Sequence, residues 1–388
     1  MSLRHARSTL VLLTVMLLAA GCASTGGPAH PMPKAAGSAA KAAGSGSGIT
    51  RTYFVSADEV VWDYAPKGRN EIKGRPFTED ENVFVGRGPG RIGSRYLKCL
   101  YRGYTDATFK TAKQRPASEA YLGQLGPVIR AEVGDTIKVV FRNTCRFPTS
   151  MHPHGVRYDK ASEGATYSDG SNAAKIGGAV PTGGSVAYTW EAAERSGPGP
   201  MDGSSAMWMY HSHADEIGDV YAGLTGFLVI TARGQARADG SPKDIDREVF
   251  SLYEVQDENA SRLRDANIAR FAGSPPPDVE DDDFVESNLM HMINGYVYGN
   301  GPVVQLRKGQ RVRWYLMGMG TEVDLHTPHW HGNTATVNGM RTDVVNLLPA
   351  SMATADMQPD AAGTWLFHCH VGDHIAAGMQ ARYRVAAS

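Results

Sequence analysis

The segment that decides the fold and chemistry of this chain is His368-Cys369-His370-Val371-Gly372-Asp373-His374-Ile375-Ala376-Ala377-Gly378-Met379. It contains a thiol, an imidazole and a thioether in the order typical of a blue-copper site, where two His and one Cys bind the metal and a Met ligates it weakly from the axial side. Neighbouring side chains on an extended strand point to opposite faces, so we expect His368 and His370 to face away from Cys369. The segment therefore predicts ligands for two different metal centres, joined through a few covalent bonds.

The histidines of the chain are clustered. Random placement of 13 His in 388 residues predicts about 0.4 His-x-His pairs. The sequence contains four such pairs, namely His152/His154, His211/His213, His329/His331 and His368/His370. A zinc site would normally close with four ligands and has no redox role. A Cys flanked by His, with a Met ten residues later, therefore favours copper over zinc.

The body of the chain contains an internal repeat. The pattern Gly-Pro-Val with a further Gly occurs at 126–134 and again at 301–309. Each copy leads to His-x-His-Gly, at 152–155 and 329–332, and ends in Trp-x-aromatic-His-x-His, at 208–213 and 365–370. Two Greek-key β-barrels with metal ligands at one end of each would produce this repeat. Ser212 stands where the second copy has Cys369, so we expect no blue-copper centre in the first barrel.

Composition supports an all-β chain with many turns. The sequence has 44 Gly and 21 Pro among short runs rich in Val, Tyr and Thr, which is typical of strands joined by tight loops. Helical periodicity is confined to Ser261–Phe271. A polar, turn-rich stretch at 232–246 predicts the boundary between domains at 50–235 and 245–388. The formal net charge of −1 gives no reason to expect a nucleic-acid partner.

The N-terminus predicts export from the cytoplasm. Residues 1–22 have a basic start, a short apolar core and small residues before Cys22, as in a lipoprotein-type signal peptide, although plain secretory cleavage is an alternative. Residues 23–49, rich in Gly, Ala and Ser, predict a flexible tether. We therefore expect a periplasmic or cell-envelope protein anchored by a lipid on Cys22. In such an oxidising compartment, Cys99 and Cys145 are either a disulfide or two unrelated buried thiols.

With these motifs the chain resembles the multicopper oxidases, whose pattern is His-x-His-Gly, His-x-His, His-x-x-His-x-His and His-Cys-His-x₃-His-x₄-Met. Residues 50–388 are most similar to the ceruloplasmin/hephaestin branch, shortened to two domains as in a bacterial type. The segments that carry this likeness are 59–66, 104–109, 125–132 and 314–320. The resemblance implies an all-β fold of two cupredoxin-like Greek-key β-barrel domains.

The resemblance also implies a set of ligands for four coppers, counted for each chain of the assembly. The type 1 (blue) copper would take His326, Cys369, His374 and axial Met379. The type 2 copper would take His152 and His329. The type 3 pair would take His154, His211, His213, His331, His368 and His370. The implied reaction is one-electron oxidation of a reductant at type 1, with electrons passing through Cys369 to reduce O₂ to water at the other three coppers.

The reductant implied by the resemblance is Fe(II). In the ceruloplasmin branch, an iron site beside the blue copper consists of a Glu, a His five residues later and the Asp before the second type 1 His. Glu286, His291 and Asp373 match that pattern, and carboxylates with an imidazole are suitable iron ligands. The alternatives are a laccase-like oxidase of phenols or amines, and a cuprous oxidase for copper tolerance that would use Met290, Met292, Met317, Met319 and Met340 as soft ligands.

The distribution of the copper ligands bears on assembly. Each predicted barrel carries four of the eight histidines assigned to the type 2 and type 3 coppers. In six-domain ceruloplasmin, the equivalent cluster lies between the first and last domains of a ring, and two-domain relatives close such a ring with three chains. The resemblance therefore implies a homotrimer with clusters between subunits, consistent with the preference of oligomers for closed cyclic symmetry.

Overall fold

Alternating apolar and polar residues build the strands of the first half of the chain, as in Thr136–Asn143, where every second side chain is buried. The computed structural model describes residues 48–170 and 177–387. The strands of the first half are β1 (Thr50–Asp63), β2 (Arg95–Tyr104), β3 (Ile129–Glu132), β4 (Thr136–Asn143), β5 (His152–Pro153), β6 (Arg157–Tyr158), β7 (Ser185–Glu191), β8 (Ser205–His211) and β9 (Thr225–Thr231). They form two sheets, with the orders β2-β1-β4-β7-β6 and β3-β9-β8-β5.

The second half repeats this arrangement. Its strands are β10 (Arg247–Asp257), β11 (Leu289–Ile293), β12 (Val304–Arg307), β13 (Val312–Gly318), β14 (Pro328–Trp330), β15 (Ala335–Val337), β16 (Met340–Thr342), β17 (Ser351–Met357), β18 (Gly363–Cys369) and β19 (Gln380–Ala386). They form sheets with the orders β11-β10-β13-β17-β15-β16 and β12-β19-β18-β14. In both four-stranded sheets the first pair of strands is parallel and the other two pairs are antiparallel. The repeat of the sequence motifs thus corresponds to a repeat of sheet topology.

Helices are short in the described residues. They are α1 (Asn82–Val85), α2 (Glu216–Ala222), α3 (Arg264–Phe271), α4 (Asp282–Ser287) and α5 (Gly372–Ala376), with 3₁₀ turns at Ala117–Leu122, Lys160–Ser162 and Glu194–Ser196. The prediction around Ser261–Phe271 agrees with α3, but the expectation that helix is confined to that stretch is wrong. The other helices have four to seven residues, so they span too few turns for a hydrophobic period to register. None of the helices among the described residues is long and apolar enough to cross a membrane.

The strands β8 and β9 are buried on both faces, and this joins the two halves. Leu228 and Ile230 on one face of β9 belong to the core between the two sheets of the first half. Phe227 and Val229 on the opposite face belong to a second core that includes most of the second half. The ring of Phe227 lies 5.2 Å from that of Phe250 on β10. Because successive side chains alternate between faces, a strand that is apolar throughout can serve two cores.

The two halves are part of one compact unit. The stretch 232–246 lies between β9 and β10, as expected of a boundary, but the division into domains 50–235 and 245–388 stays a prediction. The predicted signal peptide (1–22), Cys22 and nearly all of the predicted tether (23–49) lie outside the described residues.

The three cysteines among the described residues are in two different states. Cys99 on β2 and Cys145 after β4 are both fully buried and form a disulfide, which decides between the two alternatives that the sequence left open. Cys369 is a free, buried thiol. It is therefore available as a metal ligand.

Candidate metal centres

Three predicted type 1 ligands converge in the second half. His326 lies in the loop before β14, Cys369 is the last residue of β18, and His374 lies in α5. The Nδ1 atoms of His326 and His374 are 3.2 Å apart, and the Sγ atom of Cys369 is 3.5 Å from Nδ1 of His374 and 4.0 Å from Nδ1 of His326. All three residues are buried. A soft thiolate with two imidazoles is a donor set that fits copper.

The surroundings of Cys369 favour its thiolate form. Burial raises the pKa of Cys369, but hydrogen bonds from His326, His374 and backbone N–H groups lower it to about 6 in total. The Thr327 N–H donates to Sγ over 3.3 Å. A thiolate is the form of cysteine that binds a metal, so the protein holds this ligand close to its binding state.

Asp324 orients one of the imidazoles. Its Oδ1 accepts a hydrogen bond from Nε2 of His326 over 3.1 Å, and both side chains are fully buried. This hydrogen bond leaves Nδ1 of His326 as the atom that faces Cys369. Sequence reasoning missed Asp324, although its position two residues before a predicted ligand was a signal. An added Cβ at Gly320 would come within 1.9 Å of the Asp324 carboxylate, so the loop closes tightly around this group.

Met379 also lies at this centre. Its N–H donates to the carbonyl of His374 over 2.8 Å, and its carbonyl accepts from the N–H of Cys369 over 3.1 Å. Its side chain is fully buried. The backbone therefore holds the predicted axial residue against both neighbouring ligands.

The first half of the molecule gathers four histidines, which we call half-site A: His152, His154, His211 and His213. The Nε2 atoms of His154 and His211 are 3.1 Å apart. The His213 ring lies 5.2 Å from the His152 ring and 5.8 Å from the His211 ring. The Nδ1–H of His152 donates to the Glu163 carbonyl over 2.7 Å, which leaves its Nε2 free for a metal.

The second half gathers the equivalent residues, which we call half-site B: His329, His331, His368 and His370. The Nε2 atoms of His331 and His368 are again 3.1 Å apart. The Nδ1–H of His329 donates to the Asp343 carbonyl over 2.8 Å, as His152 does in half-site A. The His370 ring lies 5.3 Å from the His329 ring. Each half-site thus has one pair of facing imidazoles and two histidines whose Nδ1–H donates to a backbone carbonyl, since His211 and His368 are held in this way as well.

Several of these imidazoles are held neutral. Burial, chiefly, and neighbouring imidazoles lower the pKa of His154 to about 4. Burial is also the largest cause for His211 and His368, whose pKa values are likewise about 4. A neutral imidazole has a free lone pair for a metal, so both half-sites are prepared for metal binding at neutral pH.

The strand positions separate the centres as the alternation predicts. His368 and His370 belong to half-site B, whereas Cys369 between them faces His326 and His374. One strand end therefore serves two centres. Among the described residues, every ring contact of a half-site A histidine with another histidine stays within half-site A, and the same holds for half-site B.

Part of the predicted iron site lies beside the type 1 ligands. The His291 ring on β11 is 5.3 Å from the His374 ring, and Asp373 directly precedes His374. Asp373 and Glu286, which lies in α4, are both exposed. The Nδ1–H of His291 donates to the Leu289 carbonyl, and burial and His374 lower the pKa of His291 to about 4. Its Nε2 therefore carries a free lone pair that can bind a metal.

The methionines considered for Cu(I) are mostly inaccessible. Met290, Met292 and Met317 are fully buried, and Met319 is nearly so, whereas Met340 is exposed. Four of the five therefore fill the core. This burial argues against a surface site for soft metal ions built from this set.

Comparison with known proteins agrees with this geometry. Two family models, both described as multicopper oxidase, match residues 104–235 and 274–388. These two segments contain both half-sites and all four predicted type 1 ligands. The chain belongs to the multicopper oxidase family. The members of this family are copper oxidoreductases, so the chain is assigned to that class of enzyme.

Curated relatives include the human protein named Ferroxidase HEPHL1, which is 43% identical over 342 residues, covering 87% of this chain and 29% of the relative. Rat hephaestin is 42% identical over 344 residues, covering 87% of this chain and 30% of the relative. Rat ceruloplasmin is 41% identical over 339 residues, covering 86% and 32%. This multicopper oxidase therefore spans about a third of the length of the curated relatives it matches.

Solved structures show the fold. A structure titled "Crystal structure of multicopper oxidase" aligns with a TM-score of 0.52 at 15% identity, covering 87% of this chain and 89% of that chain. A copper nitrite reductase from Nitrosomonas europaea aligns with a TM-score of 0.55 at 17% identity, covering 87% and 94%. The prediction of an all-β fold with two cupredoxin-like Greek-key barrels is confirmed.

Proposed function

We propose that this multicopper oxidase is a ferroxidase, which oxidises Fe(II) and reduces O₂ to water. The observation that carries the proposal is the position of His291, whose ring lies 5.3 Å from that of His374. The relatives similar to this sequence include a protein named ferroxidase, which is 43% identical to it. An electron from Fe(II) held by His291 would have a short path to the type 1 ligand His374.

The ligands we assign follow the grouping of the side chains. His326, Cys369, His374 and Met379 would hold the type 1 copper, His152 and His329 the type 2 copper, and the remaining six histidines of half-sites A and B the type 3 pair. When bound, the coppers would supply one-electron acceptance from the reductant and four-electron reduction of O₂. Cys369 would connect the two sites covalently, through His368 and His370 on either side of it.

The carboxylates of the proposed iron site are available to a cation. Within residues 48–170 and 177–387, neither Glu286 nor Asp373 has a hydrogen-bond or ion-pair partner for its side chain. Both are exposed, so Fe(II) can reach them from solvent. Hard carboxylate oxygens would favour the oxidised product, Fe(III), over Fe(II), which assists loss of the electron.

The test measures O₂ consumption by the copper-loaded protein with Fe(II), Cu(I) and a phenol. We expect Glu286→Ala/Asp373→Ala to lower kcat/KM for Fe(II) by about tenfold or more, as expected for loss of metal-binding groups, and to leave phenol turnover unchanged. Asp283→Ala, an exposed carboxylate of the same helix α4, is the matched control and should retain Fe(II) turnover. Equal turnover of Fe(II) in the double variant and the wild type would contradict the iron site and favour a laccase-like oxidase.

We also propose that three chains assemble into a ring, in which half-site A of one chain meets half-site B of the next. His331 and His370 of half-site B are exposed, and so are the apolar side chains of Val344 beside half-site B and Ile217 beside half-site A. Exposed apolar groups around an incomplete site support burial against another subunit. Three copies of this chain are also comparable in length to one of the curated relatives.

Export and anchoring through a lipid on Cys22 are further proposals. The signal-like pattern of residues 1–22 supports them, as does the Cys99–Cys145 disulfide, since such bonds persist in oxidising compartments. We expect the full chain to fractionate with membranes and Cys22→Ser to fractionate as soluble protein. Equal distribution of the two proteins would contradict the anchor.

A further inference from the structure

A carboxyl group without a hydrogen-bond partner lies inside the molecule near the type 1 ligands. Glu254, on β10, is 0% exposed, and neither of its carboxyl oxygens has a partner among the described residues. Buried polar groups are nearly always hydrogen-bonded, and an exception calls for an explanation. Neither the copper ligands nor the proposed iron site uses Glu254.

The charged and titratable groups that face Glu254 come from five segments of the chain. They are Asp324 from the loop before β14, Lys98 from β2, Glu258 after β10, the Tyr221 hydroxyl from α2 and the Tyr64 hydroxyl directly after β1. The Lys98 ammonium is already paired with the Glu258 carboxylate inside the core, and it also donates to the Tyr221 carbonyl over 2.6 Å. Lys98 is thus committed to other partners, and Glu254 has no cation of its own.

The balance of these neighbours favours a proton on Glu254. Burial raises the pKa of Glu254 most, and the Asp324 carboxylate raises it further, while Lys98 opposes this rise. A positive charge introduced nearby would act in the opposite direction, because it stabilises the ionised carboxylate. The protonation of Glu254 is therefore sensitive to the charge of its surroundings.

Asp324 links Glu254 to the type 1 site. Its Oδ1 accepts from Nε2 of the type 1 ligand His326 over 3.1 Å and from the N–H of Val255 over 2.6 Å. Its Oδ2 accepts from the N–H of Thr321 over 2.8 Å. Glu254 thus lies near a carboxylate that is hydrogen-bonded to a type 1 ligand.

We propose that Glu254 binds and releases one proton in step with the redox state of the type 1 site. This inference rests on the proposed type 1 copper. When the reductant delivers one electron, the charge of the site falls by one and Glu254 takes up one proton from solvent. When that electron moves on towards the half-site histidines, Glu254 returns the proton to solvent. Glu254 touches neither substrate nor copper. It is a positioning residue, whose charge acts on the type 1 site through Asp324 and His326.

The inference predicts a pH-dependent reduction potential. Electron binding and proton binding favour one another by the same factor, because linkage between two sites is reciprocal. The potential of the type 1 site therefore falls as the pH rises over the range in which Glu254 exchanges its proton. The limiting dependence is a tenfold change in the oxidised-to-reduced ratio per pH unit, or about 59 mV for one electron.

The experiment follows the blue absorption band of the intact, copper-loaded protein during redox titrations from about pH 5 to pH 9. We expect the wild-type potential to fall with pH, and Glu254→Gln to lose most of that dependence while it keeps the band. Glu254→Leu is a second variant that replaces the unpaired buried carboxyl with an apolar group, a change that cores commonly tolerate. Glu248→Gln is the matched control, since Glu248 lies on the same face of β10 but pairs with Arg130; it should keep the wild-type dependence.

The outcomes separate this inference from the proposed function. A wild-type potential that does not change with pH would overturn the coupling, and so would the same pH dependence in wild type, Glu254→Gln and Glu254→Leu. Wild-type protein that takes up copper without a blue band would overturn the type 1 site, and the inference with it. A blue protein with the expected pH dependence but no Fe(II) turnover would contradict the ferroxidase alone.

Discussion

At the scale of single residues, Gly155 and Gly332 allow the chain to turn directly after the first ligand pair of each half. Their φ angles are +75° and +74°, in the left-handed region that non-glycine residues rarely adopt. A Cβ at Gly155 would lie 2.0 Å from the Trp208 ring, and one at Gly332 would lie 2.5 Å from the Trp365 ring. The fourth position of His-x-His-Gly is therefore set by both backbone conformation and packing.

We expect Gly155→Ala and Gly332→Ala each to lower the free energy of unfolding by about 2–4 kcal/mol, since a strained φ and overpacking act together. Chemical denaturation of each variant measures the change. Gly309→Ala is the matched control, because its φ is +76° and nothing lies within 4 Å of the added Cβ. Its loss should be about 1 kcal/mol, from the backbone alone. Equal losses at Gly155 and Gly309 would mean that contact with Trp208 is unimportant.

At the scale of elements, antiparallel strand pairs bring the histidines of each half-site together. His152 on β5 is opposite His211 on β8, and His329 on β14 is opposite His368 on β18. This register places His211 and His368 in buried positions, where desolvation lowers the pKa of each imidazole. The arrangement that prepares the ligands for a metal therefore also makes the metal-free protein sensitive to acid.

We expect the metal-free protein to lose stability as the pH falls from about 7 to about 5. The pKa values of His154, His211 and His368 are about 4 in the folded chain, against about 6.5 when unfolded. Between these values the unfolded chain binds more protons, so the free energy of unfolding decreases as the pH falls through 6.5 and levels off below 4. Urea denaturation at several pH values measures this slope, and His154→Gln/His211→Gln should reduce it. A midpoint independent of pH in this range would rule out depressed pKa values.

At the scale of the whole molecule, each half contributes one half-site, and the chain keeps the two sets of histidines apart. The halves are joined by β8 and β9, whose outer faces pack on the second core, and by the buried Lys98–Glu258 pair, which connects β2 to the end of β10. The relative orientation of the half-sites is thus determined by a large apolar contact. In the proposed trimer, a complete cluster of three coppers would require a neighbouring chain.

Subunit mixing tests this arrangement. We expect His152→Ala/His154→Ala and His368→Ala/His370→Ala each to be inactive alone. After the two are dissociated, mixed in equal amounts and reassembled with copper, about a quarter of the interfaces of a cyclic trimer should combine two intact half-sites. O₂ consumption should return to about that fraction of the wild-type rate. No recovery in a mixture shown to contain mixed trimers would contradict a cluster between subunits.

The ligand motifs could be read from the sequence because their chemistry is local. The spacing of His368, Cys369 and His370 on one strand determines which side chains share a face, and the structure agrees. The short helices and the buried carboxyl groups of Asp324 and Glu254 were not predicted, and the sequence left open whether Cys99 pairs with Cys145. These features depend on contacts between residues that are far apart in the sequence, which periodicity and spacing do not report.

The sequence by itself therefore determined the family, the all-β class and the candidate ligands, since each follows from residue types at short, regular intervals. Only the tertiary structure decided that β9 serves two cores, that a buried carboxylate orients His326, and that the half-site histidines stand as two separate sets. The physical reason is that burial and electrostatic environment arise when distant strands pack, so no local pattern along the chain encodes them.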